Sequence, residues 1–452
     1  MHPRNPYKTP PDFSALADAY EALRPYLISG GKSIDFKDAE AQRRLTEAIM
    51  YRDFSINLHI PLNRLCPPVP NRLNYVLWIQ DIIRAHTLVL ESHSRIVRGI
   101  DIGTGASAIY PFLACKLEPD WRMVGTELDE DSYASAQQNV TTNDLESRIE
   151  IRKADIDSPI LFPLEHDVHF DFTMCNPPFY TSAKEVMELA EEKELPPNAV
   201  CTGADIEMIY SGGGEAGFVG RMVEESMRFK TKCKWYTSML GKMSSILSIV
   251  KLLHDNSVTV ALTLASSLLL TTSKITNYAI TEFVQGQTRR WAIAWSFTDT
   301  HLPDPIARIA SISSTHALYP VLPPRNTLVQ PFACAESVLR EVLDETIRSL
   351  DLDGMQVTAK EALFFVEAEA NTWSRSARRG RKRPAQSEGA SESTAISTYP
   401  ALTCSLRTIS ESPQGSGSIE YQWIFGKDRA LFESFTSHVS RKAGARIKAR
   451  SS

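Results

Sequence analysis

The chain has 452 residues, 43% of them hydrophobic and 23% charged, and a net charge of -5. That length exceeds one ordinary domain and suggests two. The composition fits a globular protein with a core, and the charge excludes a polycation, so any nucleic-acid surface must be gathered locally.

Residues 1 to about 75 mix polar and proline-rich pieces with short apolar ones, opening on Met1-His-Pro-Arg-Asn-Pro-Tyr-Lys8 without the apolar run of a signal peptide. From Val97 the texture changes. Arg98 to Gly103 reads as a buried strand ending in a glycine turn, Ala106 to Leu117 as a helix, Trp121 to Leu128 as a second strand and Asp131 to Asn143 as a second helix. Arg148 to Arg152 and Phe170 to Cys175 are further strands, Phe218 to Lys230 a helix, Trp235 to Leu240 a strand and Ser245 to His254 a helix. Tyr278 to Phe283 and Trp291 to Phe297 close the series as strands. Alternation of this kind predicts a largely parallel sheet with helices on both faces. A second region, from about 299, reads as a small α+β domain: a helix over Cys334 to Leu350, strand character over Met355 to Ala370, strands over Thr398 to Ile409 and Ser418 to Phe425, and a helix over Asp428 to Lys442. A basic, Ser/Glu/Gly-rich loop at about 374–396 interrupts it and is expected to be disordered.

Two other chemistries are not expected. None of the seven cysteines forms a CxxC pair and no His/Cys cluster has zinc-ligand spacing, so no metal is expected and the thiols fit a reducing compartment. The apolar stretch Val258 to Leu270 is short and broken by Ser and Thr, so no membrane partner is expected.

The segment Gly99-Ile-Asp-Ile-Gly-Thr-Gly-Ala-Ser107 delivers a strand into a tight turn. Gly103 and Gly105 let a ligand approach the backbone, and the next helix adds a favourable dipole. The second strand ends in Thr126-Glu127, where the Glu127 carboxylate is placed to accept hydrogen bonds from both hydroxyls of a ribose. A dinucleotide fold would carry the same acid, but the third glycine of GxGxxG is missing and the turn matches the methyltransferase form. Asp155, just past the third strand, is placed for the adenine end of a nucleotide-like cofactor.

Asn176-Pro-Pro-Phe179, at the carboxyl end of the fourth strand, is the most specific signal. An aromatic exocyclic amine is a poor nucleophile, because its lone pair is delocalised into the ring. The Asn176 side-chain carbonyl and the Pro177 backbone carbonyl can each accept one N–H of such an amine, letting the nitrogen become tetrahedral and stabilising developing positive charge. Pro177 and Pro178 stiffen the turn, and Phe179 can stack on a flipped base.

Together these motifs resemble the eukaryotic U6 small nuclear RNA adenine-N6 methyltransferases, the methyltransferase-like sixteen type. The likeness runs from Met1 to Phe297 and includes Pro10-Pro-Asp-Phe13, Asp53-Phe54, Pro70-Asn-Arg-Leu-Asn-Tyr75 and Arg290-Trp-Ala-Ile-Ala-Trp-Ser-Phe297. The resemblance implies a Rossmann-like class I methyltransferase domain over 76–298 with a seven-stranded, mostly parallel sheet, preceded by an arm and cap over 1–75 and followed by an accessory α+β domain over 299–452. It implies S-adenosylmethionine as cofactor, with Arg72 near the methionine carboxylate and Gly103, Glu127, Asn176 and Ser158 at cofactor-contacting positions. Arg4 and Lys8 on the arm, with Arg289 and Arg290, are implied to bind RNA. The implied substrate is structured RNA with a target adenine, first U6 small nuclear RNA, with messenger RNA hairpins as a further partner class. The protein is expected to act as a monomer in the nucleus, with the cytoplasm as a second location, and the basic run Arg378-Arg-Gly-Arg-Lys-Arg383 is read as an import signal or a phosphate patch. The segment Val258 to Lys274 departs from the family pattern, and we read it as a retained intron or misassigned exon. Two alternatives stay open: methylation of another planar nitrogen, in ribosomal RNA or a protein glutamine, and a non-catalytic RNA-binding protein that keeps the fold.

Overall fold

The computed structural model describes residues 1–87, 96–166, 168–185, 205–255, 275–286, 288–309, 312–350, 355–360, 363–374, 400–410 and 416–451. The basic loop after Ser374, the segment Val258 to Lys274 and most of the stretch between Glu185 and Asp205 lie outside them. Two compact units form: Met1–Arg84 with Ser92–Thr298 and Ile306–Pro323, and Ala85–Glu91 with Asp299–Pro305 and Pro324–Ser452. Residues 306–323 thus return to the first unit, where Leu318 is buried and the Tyr278 hydroxyl donates to the Val321 carbonyl at 3.0 Å.

The first unit begins with α1 (Phe13–Ala19), the two-residue strands β1 (Leu27–Ile28) and β2 (Ser33–Ile34), α2 (Ala39–Phe54) and α3 (Val69–Thr87). Asp12 and Asp38 cap α1 and α2 by accepting amide N–H groups of the first turn. The sequence did not declare α2, because its inward face is partly polar. Arg43, Thr46 and Glu47 are all under 5% exposed. Glu47 is paired with Arg44 and accepts from the Tyr20 hydroxyl, and Thr46 donates to the Pro67 carbonyl. A buried face satisfied by such partners carries no apolar period for the eye to catch.

The seven-stranded sheet consists of β3 (Val97–Ile102), β4 (Trp121–Glu127), β5 (Ile149–Lys153), β6 (Phe170–Cys175), β7 (Cys233–Leu240), β8 (Asn277–Gln285) and β9 (Thr288–Ser296). Its order is β5-β4-β3-β6-β7-β9-β8. The first five strands run parallel, and β9 joins β7 antiparallel. All six residues of β6 are buried, as expected of a central parallel strand covered on both faces. The chain passes outward from β3 through β4 to β5 and then returns to place β6 on the other side of β3. The carboxyl ends of β3 and β6 therefore flank the point where strand order reverses, which is where open α/β sheets bind ligands. The sheet expected from the sequence is borne out.

The second unit is a five-stranded antiparallel sheet, ordered β10 (Thr327–Ala335), β14 (Ser416–Phe425), β13 (Leu402–Ser410), β12 (Leu363–Ala368), β11 (Met355–Lys360). Helices Glu336–Arg348 and Arg429–Ser451 share a core with it that includes Leu339, Val342, Phe432, Phe435 and Tyr421. The expected helix from Cys334 begins two residues later, because β10 runs on through Ala335. That mostly exposed edge strand carries no clean alternation to announce it.

Candidate active site

A cleft of about 390 Å³ opens at the carboxyl ends of the parallel strands. The register of β3 and β6 makes it: Ile102 pairs with Cys175, so Gly103 and Asn176 are the next residues out of two adjacent strands. Both line the cleft, together with Arg72, Gly105, Glu127, Asp155, Ser158, Pro177 and Pro178. The sequence motifs, scattered over a hundred residues, meet in one place.

Gly103 and Gly105 have φ of +68° and +67°, and no atom lies within 4 Å of where a Cβ would sit on either. The first turn is left open for a ligand, and a side chain would both strain the backbone and fill that space. Ala108 also has positive φ, 47°, so the helix starts at Ile109 and not at Ala106 as expected. The loop is pinned to the neighbouring strand: Thr104 N–H donates to the Thr126 carbonyl at 2.9 Å and Gly105 N–H to Glu127 Oε2 at 2.8 Å.

Glu127 is 6% exposed. Its Oε1 also accepts the amides of Leu128 and Asp129, at 2.8 and 2.9 Å. Burial pushes its carboxyl up and the three amides pull it down. A carboxylate has about four acceptor sites. With three taken, Glu127 keeps one free, fewer than the two that both hydroxyls of a ribose would need.

Asn176 Oδ1 is buried and has no hydrogen-bond partner. A buried acceptor left empty costs about 1–3 kcal/mol, and this one belongs to a side chain that lines the cleft. Behind it, the fully buried Tyr75 of α3 accepts the Cys175 amide at 3.3 Å and donates to Thr237, whose own hydroxyl donates to the Thr173 carbonyl. The strand end that carries Asn176 is thereby fixed by a chain of bonds from α3 to β7.

Arg72 of α3 sits 5.7 Å from the Tyr110 ring centre at the cleft wall. Asp155 shapes the loop after β5: its carboxylate accepts the Asp157 amide at 2.8 Å and its carbonyl the Ser158 amide at 3.1 Å. Phe179 is not among the residues that line the cleft. Its ring lies 5.6 Å below the Arg290 guanidinium. The other basic residues assigned to RNA have intrachain partners. Arg4 folds back onto α3, donating to Gln80 and Leu77 and pairing with Asp81 at 2.5 Å, Lys8 donates to the Pro3 carbonyl at 2.6 Å, and Arg289 pairs with Glu282 at 3.0 Å. The arm is therefore built into the fold as well as basic.

Sequence reasoning missed several cleft residues. Ser107 lines the wall and is 3% exposed; its place inside the glycine motif was the available signal. Glu207, Tyr210 and Arg221 form the far wall, and the Leu65 amide donates to Glu207 at 3.3 Å. Glu207 and Tyr210 follow a segment with no periodic pattern, and Arg221 sits on the expected helix Phe218 to Lys230 as one charge among several. Among the described residues no group of three or more His, Cys, Asp or Glu is placed to hold a metal, and no helix is long and apolar enough to cross a membrane.

Below the glycine turn lies Asp101, fully buried, with Oδ2 accepting the Thr104 hydroxyl at 2.7 Å and Oδ1 unpartnered. Burial pushes it up from 3.8 to about 8. Between those values the folded chain keeps a proton that the unfolded chain has released, so this residue makes stability fall as pH rises through that window. Asp101→Asn cannot ionise. Melting temperatures measured from pH 4 to 8 are expected to decline less steeply in the variant, and an unchanged slope would place the titration elsewhere.

An open glycine turn, a buried acid with an acceptor site to spare and an empty amide acceptor at one switch point suit a methyltransferase of the doubly wound class, with S-adenosylmethionine as the group the pocket fits. A family model described as RNA methyltransferase matches residues 1–299. The chain is 34% identical over 411 residues to the U6 small nuclear RNA (adenine-(43)-N(6))-methyltransferase of Schizosaccharomyces pombe, covering 90% of this chain and 94% of that protein. It is 38% identical over 314 residues to human RNA N(6)-adenosine-methyltransferase METTL16, covering 68% of this chain but only 52% of the human protein. Among solved structures it is similar to the human METTL16 catalytic domain in complex with a MAT2A 3'UTR hairpin, at 35% identity and TM-score 0.57 over 69% of this chain and 99% of that one. It is also similar to the N-terminal domain of human METTL16 in complex with SAH, at 35% identity and TM-score 0.51 over 66% of this chain and 99% of that one. The chain belongs to this RNA methyltransferase family.

Proposed function

We propose that the chain methylates the exocyclic N6 amine of a target adenine in structured RNA, first of all U6 small nuclear RNA, using S-adenosylmethionine. One observation carries the reading: the unpartnered Asn176 Oδ1 in the same cleft as the open glycine turn and Glu127. Gly103, Gly105, Glu127, Arg72, Asp155 and Ser158 hold the cofactor, which supplies a methyl group activated by its sulfonium charge. Asn176 Oδ1 accepts one N–H of the adenine amine and the Pro177 carbonyl the other. Gripped at both hydrogens, the nitrogen turns its lone pair out of conjugation, and the two oxygens stabilise the positive charge that grows on it. The extra proton leaves for water after transfer, so no general base acts beforehand.

The fission-yeast relative's printed activity, over 94% of its length, supports U6 RNA as the substrate, and the hairpin complex of the human catalytic domain supports structured RNA. The run Arg378–Arg383 supports work in the nucleus.

The test is methyl transfer from labelled cofactor to a synthetic U6 hairpin, beside one in which guanine replaces the target adenine. Label is expected only in the first, on N6. Equal labelling of both would defeat site-specific adenine methylation and favour another planar nitrogen.

A further inference from the structure

Phe179 completes the Asn176-Pro-Pro turn, and its seat is built by two stretches that no motif above includes. On one side, the glycine run opens the helix Gly214–Phe229. Gly214 has φ +59°, and a Cβ on it would lie 3.3 Å from the Phe179 carbonyl oxygen and 3.4 Å from the Tyr180 carbonyl carbon. On the other side is Gly241, just after β7. A Cβ there would lie 3.0 and 3.1 Å from two carbons of the Phe179 ring. That is tighter than ordinary van der Waals contact, so the ring rests directly on a bare backbone.

Glu215 joins the two sides. It follows Gly214 in the chain and is 2% exposed. Its Oε2 accepts the Gly241 amide at 2.6 Å, and its Oε1 accepts the Lys242 amide at 2.8 Å and the Ser245 hydroxyl at 2.6 Å. All three donors are neutral, and all lie where β7 runs into the helix Met243–Asp255. A buried carboxylate is tolerated only when fully hydrogen-bonded, and bonds to an ionised acceptor are short and stiff. The result is a rigid bracket running from the backbone behind Phe179, through Glu215, to the surface under its ring. Phe179 itself remains partly exposed.

We propose that Glu215 is a positioning residue for base recognition: acting through Gly241, it sets the plane of the Phe179 ring and so aims the adenine amine at Asn176 Oδ1. The proposal rests on the adenine-N6 reading above. It explains why a charged side chain is buried beside the catalytic turn without touching the cleft, and why residue 241 has no side chain although its φ is not in the left-handed region.

The decisive variant is Gly241→Ala in the full chain. It retains the amide that Glu215 accepts and adds one methyl group against both the ring and Glu215 Oε2, the latter 3.2 Å away. Single-turnover methylation of a U6 hairpin is expected to slow by about 10- to 100-fold, because small misplacement at a reacting centre has effects of that order. Affinities for the RNA and for S-adenosylhomocysteine should stay within about twofold of the parent. With 2-aminopurine in place of the target adenine, the fluorescence of the bound hairpin should change, reporting altered stacking on Phe179. Glu215→Gln, which keeps one strong acceptor and loses the other, should show the same pattern at smaller amplitude. Parent-like rate and fluorescence in Gly241→Ala would overturn the proposal. So would a Gly241→Ala loss of rate that merely tracks lost RNA affinity. Failure of the parent protein itself to methylate the hairpin's adenine would instead reject the adenine-N6 reading, and this proposal with it.

Discussion

Asn176→Ala is expected to lower methyl transfer to RNA by about 10²- to 10³-fold, the loss typical when one preorganised polar group at a developing charge is removed. The physical reason is visible in the cleft. Oδ1 is buried and unpartnered, and the strand end that carries Asn176 is fixed by the bonds that run from Tyr75 to Cys175 and Thr237. Its contribution is made to the reacting amine and grows as that amine acquires charge, so the loss should fall on the chemical step. RNA is bound over a much larger surface, and its Kd should remain within about twofold. Rapid-quench single-turnover assays beside RNA titrations separate the two quantities. Full activity in Asn176→Ala would overturn the catalytic assignment, whereas loss of RNA affinity without a rate effect would favour the non-catalytic reading.

Glu127→Ala is expected to act on the other half of the reaction. The carboxylate is the shared acceptor of the Gly105, Leu128 and Asp129 amides, so removing it releases the glycine turn as well as the ribose contact. An unmade bond to a charged group costs about 1.5–3 kcal/mol, and each 1.4 kcal/mol is tenfold in affinity. Cofactor binding should therefore weaken by about 10- to 100-fold, read by calorimetry with S-adenosylhomocysteine. Glu127→Gln should recover part of that loss, since one carbonyl acceptor is kept. Unchanged affinity in Glu127→Ala would mean that the cofactor does not use this end of β4.

The sequence carried the centre of the fold and the motifs because both have strong local signatures. Buried parallel strands read as continuous apolar runs, and Gly103, Glu127 and Asn176 sit at strand ends, where residue type follows from backbone need and ligand chemistry. What it did not carry depends on partners distant in the chain. The inward face of α2 is polar because Glu47 meets Tyr20 and Thr46 meets the Pro67 carbonyl in space. Glu215 looks like one acid among many until its three donors arrive from 241–245. That Glu127 has only one acceptor to spare is not legible in the sequence either, since the amides that occupy it are set by the loop's fold. Arg4 likewise has partners that its place in the sequence does not show, Gln80, Leu77 and Asp81.

The most direct measurement is a crystal structure of the protein with S-adenosylhomocysteine and a U6 hairpin. A target adenine turned out of its stack is expected to present its N6 to Asn176 Oδ1 at about 2.7–3.2 Å, with the sulfur of the cofactor product facing the same nitrogen. An adenine lodged outside the cleft of Gly103 and Asn176, or one whose amino group points away from Asn176, would contradict the account.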